Sequence, residues 1–224
     1  MARPRVILFD VNETLLDLQP MKEGIGKLLG AGPDAAVLWF TTLLQHSLVG
    51  TVAGKYLDFA EVGAACLRMV AGSHGVELSE DAARQAVAPM RSLPPHGDVA
   101  PALERLRDAG FRLFTLTNNS KSAVADQVRN AGLAGYFEAL LSVEDVGKYK
   151  PHAEVYRWAA GRAGADVSGC LLVAAHGWDV AGAKWAGMQS AFVARPGQQA
   201  FPLGPTPDIT IPSLAELAGE LERR

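Results

Sequence analysis

The chain has 224 residues, with 24 acidic against 21 basic side chains and a formal net charge of -3. That length suits one large domain, or a core with one insertion, and buries a substantial core without staples. The charge balance offers a polyanion nothing to hold, which excludes nucleic acid as a partner. Cys66 and Cys170 are the two cysteines. Both stand in apolar contexts and are expected as buried free thiols in a reducing compartment, and no Cys/His cluster has zinc spacing. The N-terminus runs straight into a strand, with no signal-like apolar region and no 18-residue apolar span, so a soluble, cytoplasmic protein with no membrane partner is expected.

In chain order, residues 5–10 read as a fully buried strand, an apolar run that ends abruptly on Asp10. Residues 18–95 are helical in pattern, with segments 20–30, 34–50, 54–72 and 79–91, Ser79 as an N-cap and Pro94-Pro95 closing the stretch. From about residue 98, helices (98–109, 120–131, 151–163, 178–187, 213–222) alternate with strands (111–118, 138–143, 169–175, 189–194, 208–211). Such alternation predicts a parallel sheet with helices on both faces. The fold class is therefore α/β: a Rossmann-like core from residues 1–17 and 96–224, with an all-helical cap domain inserted at 18–95. Helix 34–50 is apolar on most sides, so it packs against the core, forms a dimer interface or faces a substrate.

Four segments place reactive side chains at strand ends. Asp10 follows the first strand; Thr117-Asn118 follow Leu113–Leu116; Lys148 and Lys150 precede Pro151; His176 and Asp179 follow Leu171–Ala174. Open α/β sheets hold their ligands at these carboxyl ends. An ionised aspartate can attack an electrophile to form an ester that water then cleaves. Lys150 would keep Asp10 ionised, Thr14 and Thr117-Asn118 would hold it or donate to developing charge, and Asp179 would orient Lys150 or activate water. Taken singly, Asp10 could be a turn residue, Lys150 a solvated lysine and His176 a hydrogen-bonded loop histidine.

Read together, the four segments resemble the motifs of the haloacid dehalogenase (HAD) superfamily over nearly the whole chain. Within it, Phe9-Asp10, Thr14-Leu15, Asp17, Thr117-Asn118, Leu141-Ser142-Val143, Tyr149-Lys150-Pro151, Val155-Tyr156 and Trp178-Asp179 resemble the type II 2-haloacid dehalogenases, and Trp39, Leu44, Tyr56 and Phe59 match the cap spacing. The resemblance implies metal-independent (S)-2-haloacid dehalogenation with no cofactor, a small carboxylic acid as substrate and a homodimer. It makes Asp10 the nucleophile supported by Thr14. Thr117 and Lys150 line its site, Asn118 helps cradle the leaving group, and Tyr156 and Asp179 serve hydrolysis. Val11, Asn12, Phe40, Leu44, Phe59 and Trp178 contact substrate.

Several positions depart from that pattern. Phe40 stands where the family has a halide-clamping arginine, Asn12 replaces a tyrosine, Glu13 a glycine, His176 an asparagine and Ala174 a serine. Glu13 is either a solvated turn residue or a source of negative potential at the mouth of the site. His176 could orient water or stand in for the missing amide. A negative site without the arginine would suit a cationic leaving group, so C–N ring opening of a cyclic amino acid such as azetidine-2-carboxylate is an alternative. A HAD phosphatase is another, although Asn12 and Ala175 occupy positions where a Mg²⁺ site would want acids. The last is a non-catalytic interaction protein using helix 34–50 as its surface.

Overall fold

The computed structural model describes residues 3–223. Six strands form one sheet: β1 (Val6–Phe9), β2 (Arg112–Thr117), β3 (Ala139–Ser142), β4 (Cys170–Ala174), β5 (Gln189–Val193) and β6 (Ile209–Ile211). Their order is β3-β2-β1-β4-β5-β6, and every neighbouring pair is parallel. β1 and β4 are buried at every residue, which is why they read as unbroken apolar runs rather than alternating ones. This order reverses direction at β1, and the crevice at the carboxyl ends beside such a reversal is where ligands bind. The chain puts Asp10, Thr117 and His176 at that rim, directly after β1, at the end of β2 and just beyond β4.

Helices α5 (Val99–Asp108), α6 (Lys121–Asn130), α7 (Ala153–Arg162) and α8 (Gly177–Ala186) connect the strands. The stops expected at Gly110, Gly132 and Gly164 are left-handed residues, with φ of 83°, 71° and 64°. The last predicted helix, 213–222, divides into a 3₁₀ turn at Leu214–Glu216 and α9 (Leu217–Glu222).

Between β1 and β2 lie α1 (Gln19–Leu29), α2 (Gly32–Val52), α3 (Phe59–Ser73) and α4 (Glu80–Val87), the last followed by a 3₁₀ turn at Ala88–Ser92. The third helix starts later than the predicted residue 54. Gly54 takes a left-handed φ of 68°, and the Asp58 carboxylate accepts from the N–H groups of Ala60 (2.8 Å) and Glu61 (3.3 Å), fixing the start one residue on. Ser79 caps α4 as expected, accepting from the Ala82 N–H at 3.2 Å.

α2 also corrects the expectation that no 18-residue span is apolar: Asp34–Val52 has a mean hydropathy of 1.3. Thr41, Thr42, Gln45, His46 and Ser47 break it into short runs that hide this average. Its inner face buries Ala36, Trp39 and Leu43, and the Trp39 indole N–H donates to the Gly63 carbonyl at 2.8 Å. Trp39→Ala would cost about 3–5 kcal/mol by the usual cavity arithmetic. The outer face leaves Val37, Leu38, Leu48, Val49 and Val52 exposed.

Candidate active site

Asp10 is 5% exposed, and its two carboxylate oxygens belong to two different networks. Oδ1 accepts from the Lys150 ammonium at 2.9 Å. Lys150 also donates to Asp179 Oδ2 (2.5 Å) and to the Leu116 carbonyl (2.9 Å), so its three protons are all committed. The Tyr156 hydroxyl donates to Asp179 Oδ1 at 2.6 Å. Gly182 makes this corner possible: a Cβ there would meet Pro151 at 2.4 Å and the Tyr156 hydroxyl at 2.7 Å, so α8 approaches as closely as it does only without a side chain. The side-chain amide oxygen of Asn118 accepts the Lys150 backbone N–H at 3.0 Å and fixes that residue in the chain.

Oδ2 has different partners. The Thr14 hydroxyl donates to it at 2.7 Å while accepting the Ala175 N–H at 2.9 Å, which leaves that hydroxyl proton no other direction. His176 Nδ1 lies 3.1 Å from Oδ2, and its Nε2 lies 2.8 Å from Glu13 Oε2. Ionised carboxylates only accept, so both ring nitrogens carry protons and His176 is an imidazolium. Its ring stacks between Phe40 (6.1 Å between centroids) and Trp178 (5.2 Å). Glu13 also pairs with Lys22 and is 8% exposed, so it is neither a solvated turn residue nor an unbalanced negative charge. Asp10, Glu13 and Asp179 are matched by Lys22, Lys150 and His176.

The titrations follow from these contacts. Burial raises the Asp10 carboxyl, but Lys150, His176 and Thr14 outweigh it and hold Asp10 well below the usual range. Burial lowers His176, yet its bonds to Asp10 and Glu13 push it up to about 9. Asp179 is raised, chiefly by its complete burial, with the Lys150 ammonium only partly compensating. Lys150 is depressed by burial and raised more by the two carboxylates.

Other predicted site residues are placed around this cluster without all touching it. The Thr117 hydroxyl accepts from Asn119, through its N–H and its amide group, both at 3.2 Å. Asn12 directs its amide oxygen to Asn119 (3.2 Å) and Gln127 (3.0 Å), away from Asp10. Val11 is buried beside Asp10. Phe59 packs on Tyr149, 5.7 Å between ring centroids. Leu44, Lys150 and Trp178 line an apolar cleft of about 720 Å³ together with Leu48 and Val49. Lys22, Asn119, Gln127, Gln198 and Arg195 were missed. Arg195 clamps the Thr14 carbonyl (3.0 Å) onto Asp98, and Gln198 reaches Glu13 at 3.4 Å. These contacts join residues up to 185 apart in the chain, and no local pattern marks them.

Known proteins resemble this chain over nearly its whole length. A family model for haloacid dehalogenase-like hydrolases matches residues 4–187. Haloacetate dehalogenase H-2 of Moraxella sp. (strain B) is 33% identical over 95% of both chains. An (S)-2-haloacid dehalogenase of Pseudomonas sp. (strain YL) is 29% identical, covering 93% of this chain and 90% of that protein. A solved L-2-haloacid dehalogenase from Xanthobacter autotrophicus with chloropropionic acid covalently bound superposes with a TM-score of 0.91 at 25% identity, covering 98% of each chain.

Proposed function

Because the chain belongs to the haloacid dehalogenase-like hydrolases, we propose that it is a dehalogenase of small (S)-2-haloacids and haloacetates, in which Asp10 displaces halide from C2. The observation that carries this reading is the hydrogen-bond inventory of Asp10. A carboxylate has about four lone-pair sites; Oδ2 spends its two on Thr14 and His176, and Oδ1 spends one on Lys150. One lone pair on Oδ1 is left for an electrophile, on a carboxylate kept ionised. Attack by Oδ1 forms the Oδ1–C2 bond as the C2–halide bond breaks, giving an ester. The covalent chloropropionic adduct of the Xanthobacter relative and the dehalogenase names of the Moraxella and Pseudomonas relatives support the substrate class. Lys150 and Thr14 position the nucleophile, and Asp179 with Tyr156 serves the hydrolytic half. Residues 18–95 act as the cap domain on a core of 1–17 and 96–224, contributing Phe40, Leu44 and Phe59 to the apolar side of the pocket.

The reaction is metal-independent on this reading. The Lys150 ammonium sits between Asp10 and Asp179, at 2.9 and 2.5 Å, in the place a bridging Mg²⁺ would need, and the Asn12 oxygen is bound by Asn119 and Gln127. Those residues do not fit an octahedral all-oxygen shell. In the test, purified protein with EDTA is assayed against 2-chloropropionate, fluoroacetate, azetidine-2-carboxylate and a phosphate ester. Halide release that survives chelation is expected, with solvent ¹⁸O entering Asp10 in a single turnover and no activity in Asp10→Asn. Activity lost to EDTA and restored by Mg²⁺ would sink it.

Phe40 favours a second reading, C–N ring opening, by removing the halide-clamping cation. The imidazolium of His176 beneath the Phe40 ring argues against it, since a departing ammonium would meet like charge there. Phe40→Arg separates the two: halide chemistry keeps or gains activity on 2-chloro acids, and ring opening loses it.

A further inference from the structure

The reaction as described leaves one buried assembly unused. Glu13 occupies a left-handed conformation at φ 61°, the one non-glycine residue among those described with positive φ. Such a conformation costs on the order of 1 kcal/mol in a non-glycine residue and survives where its surroundings over-determine it. Here Arg195 holds the next carbonyl, His96 lies 3.1 Å from Glu13's own carbonyl, and Lys22 and Gln198 meet its carboxylate. The strained turn delivers that carboxylate to one place, 2.8 Å from His176 Nε2. The opposite ring nitrogen is thereby held protonated against Asp10 Oδ2.

We propose that His176, positioned by Glu13, joins Thr14 as the oxyanion hole in which the Asp10 ester is hydrolysed. This rests on the Asp10-ester reading above. Once Oδ1 carries the substrate carbon, Oδ2 is the ester carbonyl oxygen, and its two donors already stand at 2.7 and 3.1 Å. Those are the distances at which preorganised donors stabilise a developing oxyanion. Water adds to Cγ and passes a proton to Asp179, whose raised pKa suits it to accept one. Negative charge collects on Oδ2 between the Thr14 hydroxyl and the His176 N–H. The carbonyl then re-forms, the Cγ–Oδ1 bond breaks, and Oδ1 leaves as the product hydroxyl with the proton from Asp179. Asp10 is left as a carboxyl group holding the water oxygen, and it ionises, releasing the one proton that hydrolysis yields. His176 contacts Oδ2, the oxygen that becomes the ester carbonyl, and not the attacking Oδ1, so its loss is expected to fall on the hydrolytic half.

Rapid quench with mass spectrometry and halide release, using 2-chloropropionate from pH 6 to 9.5, tests the assignment on the parent, His176→Phe, His176→Asn and Glu13→Gln. Phenylalanine keeps the stack between Phe40 and Trp178 and removes both N–H donors; asparagine can restore one. His176→Phe is expected to release about one equivalent of halide, accumulate the Asp10 ester and hydrolyse it about 10²–10³-fold more slowly, the usual cost of one oxyanion donor. His176→Asn should recover part of that loss. The charged groups around His176 are Asp10, Glu13 with its partner Lys22, and, beyond Trp178, Lys150 and Asp179. With Asp10 esterified, Glu13 is the nearest charge left to hold the proton. Ester hydrolysis should therefore fall as pH rises through the His176 titration, and Glu13→Gln should move that fall to lower pH while keeping the fold. Ester hydrolysis that instead accelerates through the same titration would make His176 a base and overturn the proposal. Slowed halide release with no accumulated ester in the variants would overturn it as well. Absence of any Asp10 ester in every protein, parent included, would overturn the earlier reading and this inference with it.

Discussion

Two networks meet at Asp10, and they are built on opposite principles. On the Oδ1 side, Lys150 and Asp179 are sealed, with side chains 0% exposed, and every donor of the ammonium is spent. On the Oδ2 side, the chain of His176, Glu13 and Lys22 steps outward to a cavity of about 290 Å³ whose lining includes Glu13, Lys22, His96, Arg195 and Gln198. The sealed side holds the Lys150 ammonium in place, because removing its proton would strand two buried carboxylates, and the one proton it exchanges in the proposed hydrolysis is the one carried by Asp179. The graded side is shielded less completely, so its charge can change at lower cost. Both networks keep the resting carboxylate ionised, and on the proposed mechanism the Oδ2 side goes on to stabilise charge on the same carboxyl group.

The sharpest way to break this contrast is Lys150→Met. It leaves Asp10 and Asp179 facing one another without a cation, and losing one partner of a buried ion cluster costs about 3–5 kcal/mol. Urea denaturation should show that loss at pH 7 and a partial recovery on acidification, as Asp179, already raised, takes a proton. Glu13→Gln should cost clearly less, because its partner Lys22 is 21% exposed and can be hydrated. Equal losses in the two variants would erase the distinction between sealed and graded sides.

The two sides should also fail at opposite ends of the pH scale. Asp10 is lowered in the fold, so its contribution is present above its ordinary value of 3.8 and lost as pH falls through the depressed one. His176 is raised from 6.5 to about 9. Its contribution is complete below pH 6.5 and disappears as pH rises through about 9, with a ceiling of about 3 kcal/mol from 1.36 kcal/mol per pKa unit. The parent should therefore lose up to that amount relative to His176→Asn between pH 6.5 and 9.5, measured by denaturant midpoints at fixed ionic strength. Parallel stability curves for the two proteins would show that His176 is neutral in the fold.

The sheet was legible because its signal is local. All six strands stand where apolar runs bounded by turn residues predicted them, and the helix stops fell on glycines that are left-handed in the structure. The Asp10, Lys150 and Asp179 cluster was legible for a related reason: Asp10 directly follows β1, Lys150 lies shortly before α7 and Asp179 lies in the first turn of α8, so topology brings them together. The His176 side was only half visible. His176 and Glu13 stood out as departures from a pattern, but their pairing joins residues 163 apart, and nothing in the composition of α1 marks Lys22 as the partner of Glu13. Thr117 and Asn12 illustrate the limit in the other direction. Both lie at the correct strand ends, yet Asn119 and Gln127, polar residues of the turn after β2 and of α6, take up their hydrogen-bonding groups.

The smallest expected effect tests whether the graded side carries backbone strain as well as charge. Glu13→Gly and Glu13→Ala both delete the carboxylate, leave His176 and Lys22 without it, and open the same space toward the cavity. They differ in what the backbone at φ 61° tolerates. Glycine adopts that conformation freely, whereas alanine meets the same Cβ crowding as glutamate. Glycine also loses more freedom on folding, which offsets part of its advantage. The net expectation is that Glu13→Gly is more stable than Glu13→Ala by about 1 kcal/mol or somewhat less, read as a higher urea midpoint at unchanged slope. If alanine equals or exceeds glycine, the turn relaxes to negative φ once the carboxylate is gone. The conformation would then be imposed by the ion pairs with His176 and Lys22 rather than by the contacts of His96 with the Glu13 carbonyl and of Arg195 with the Thr14 carbonyl.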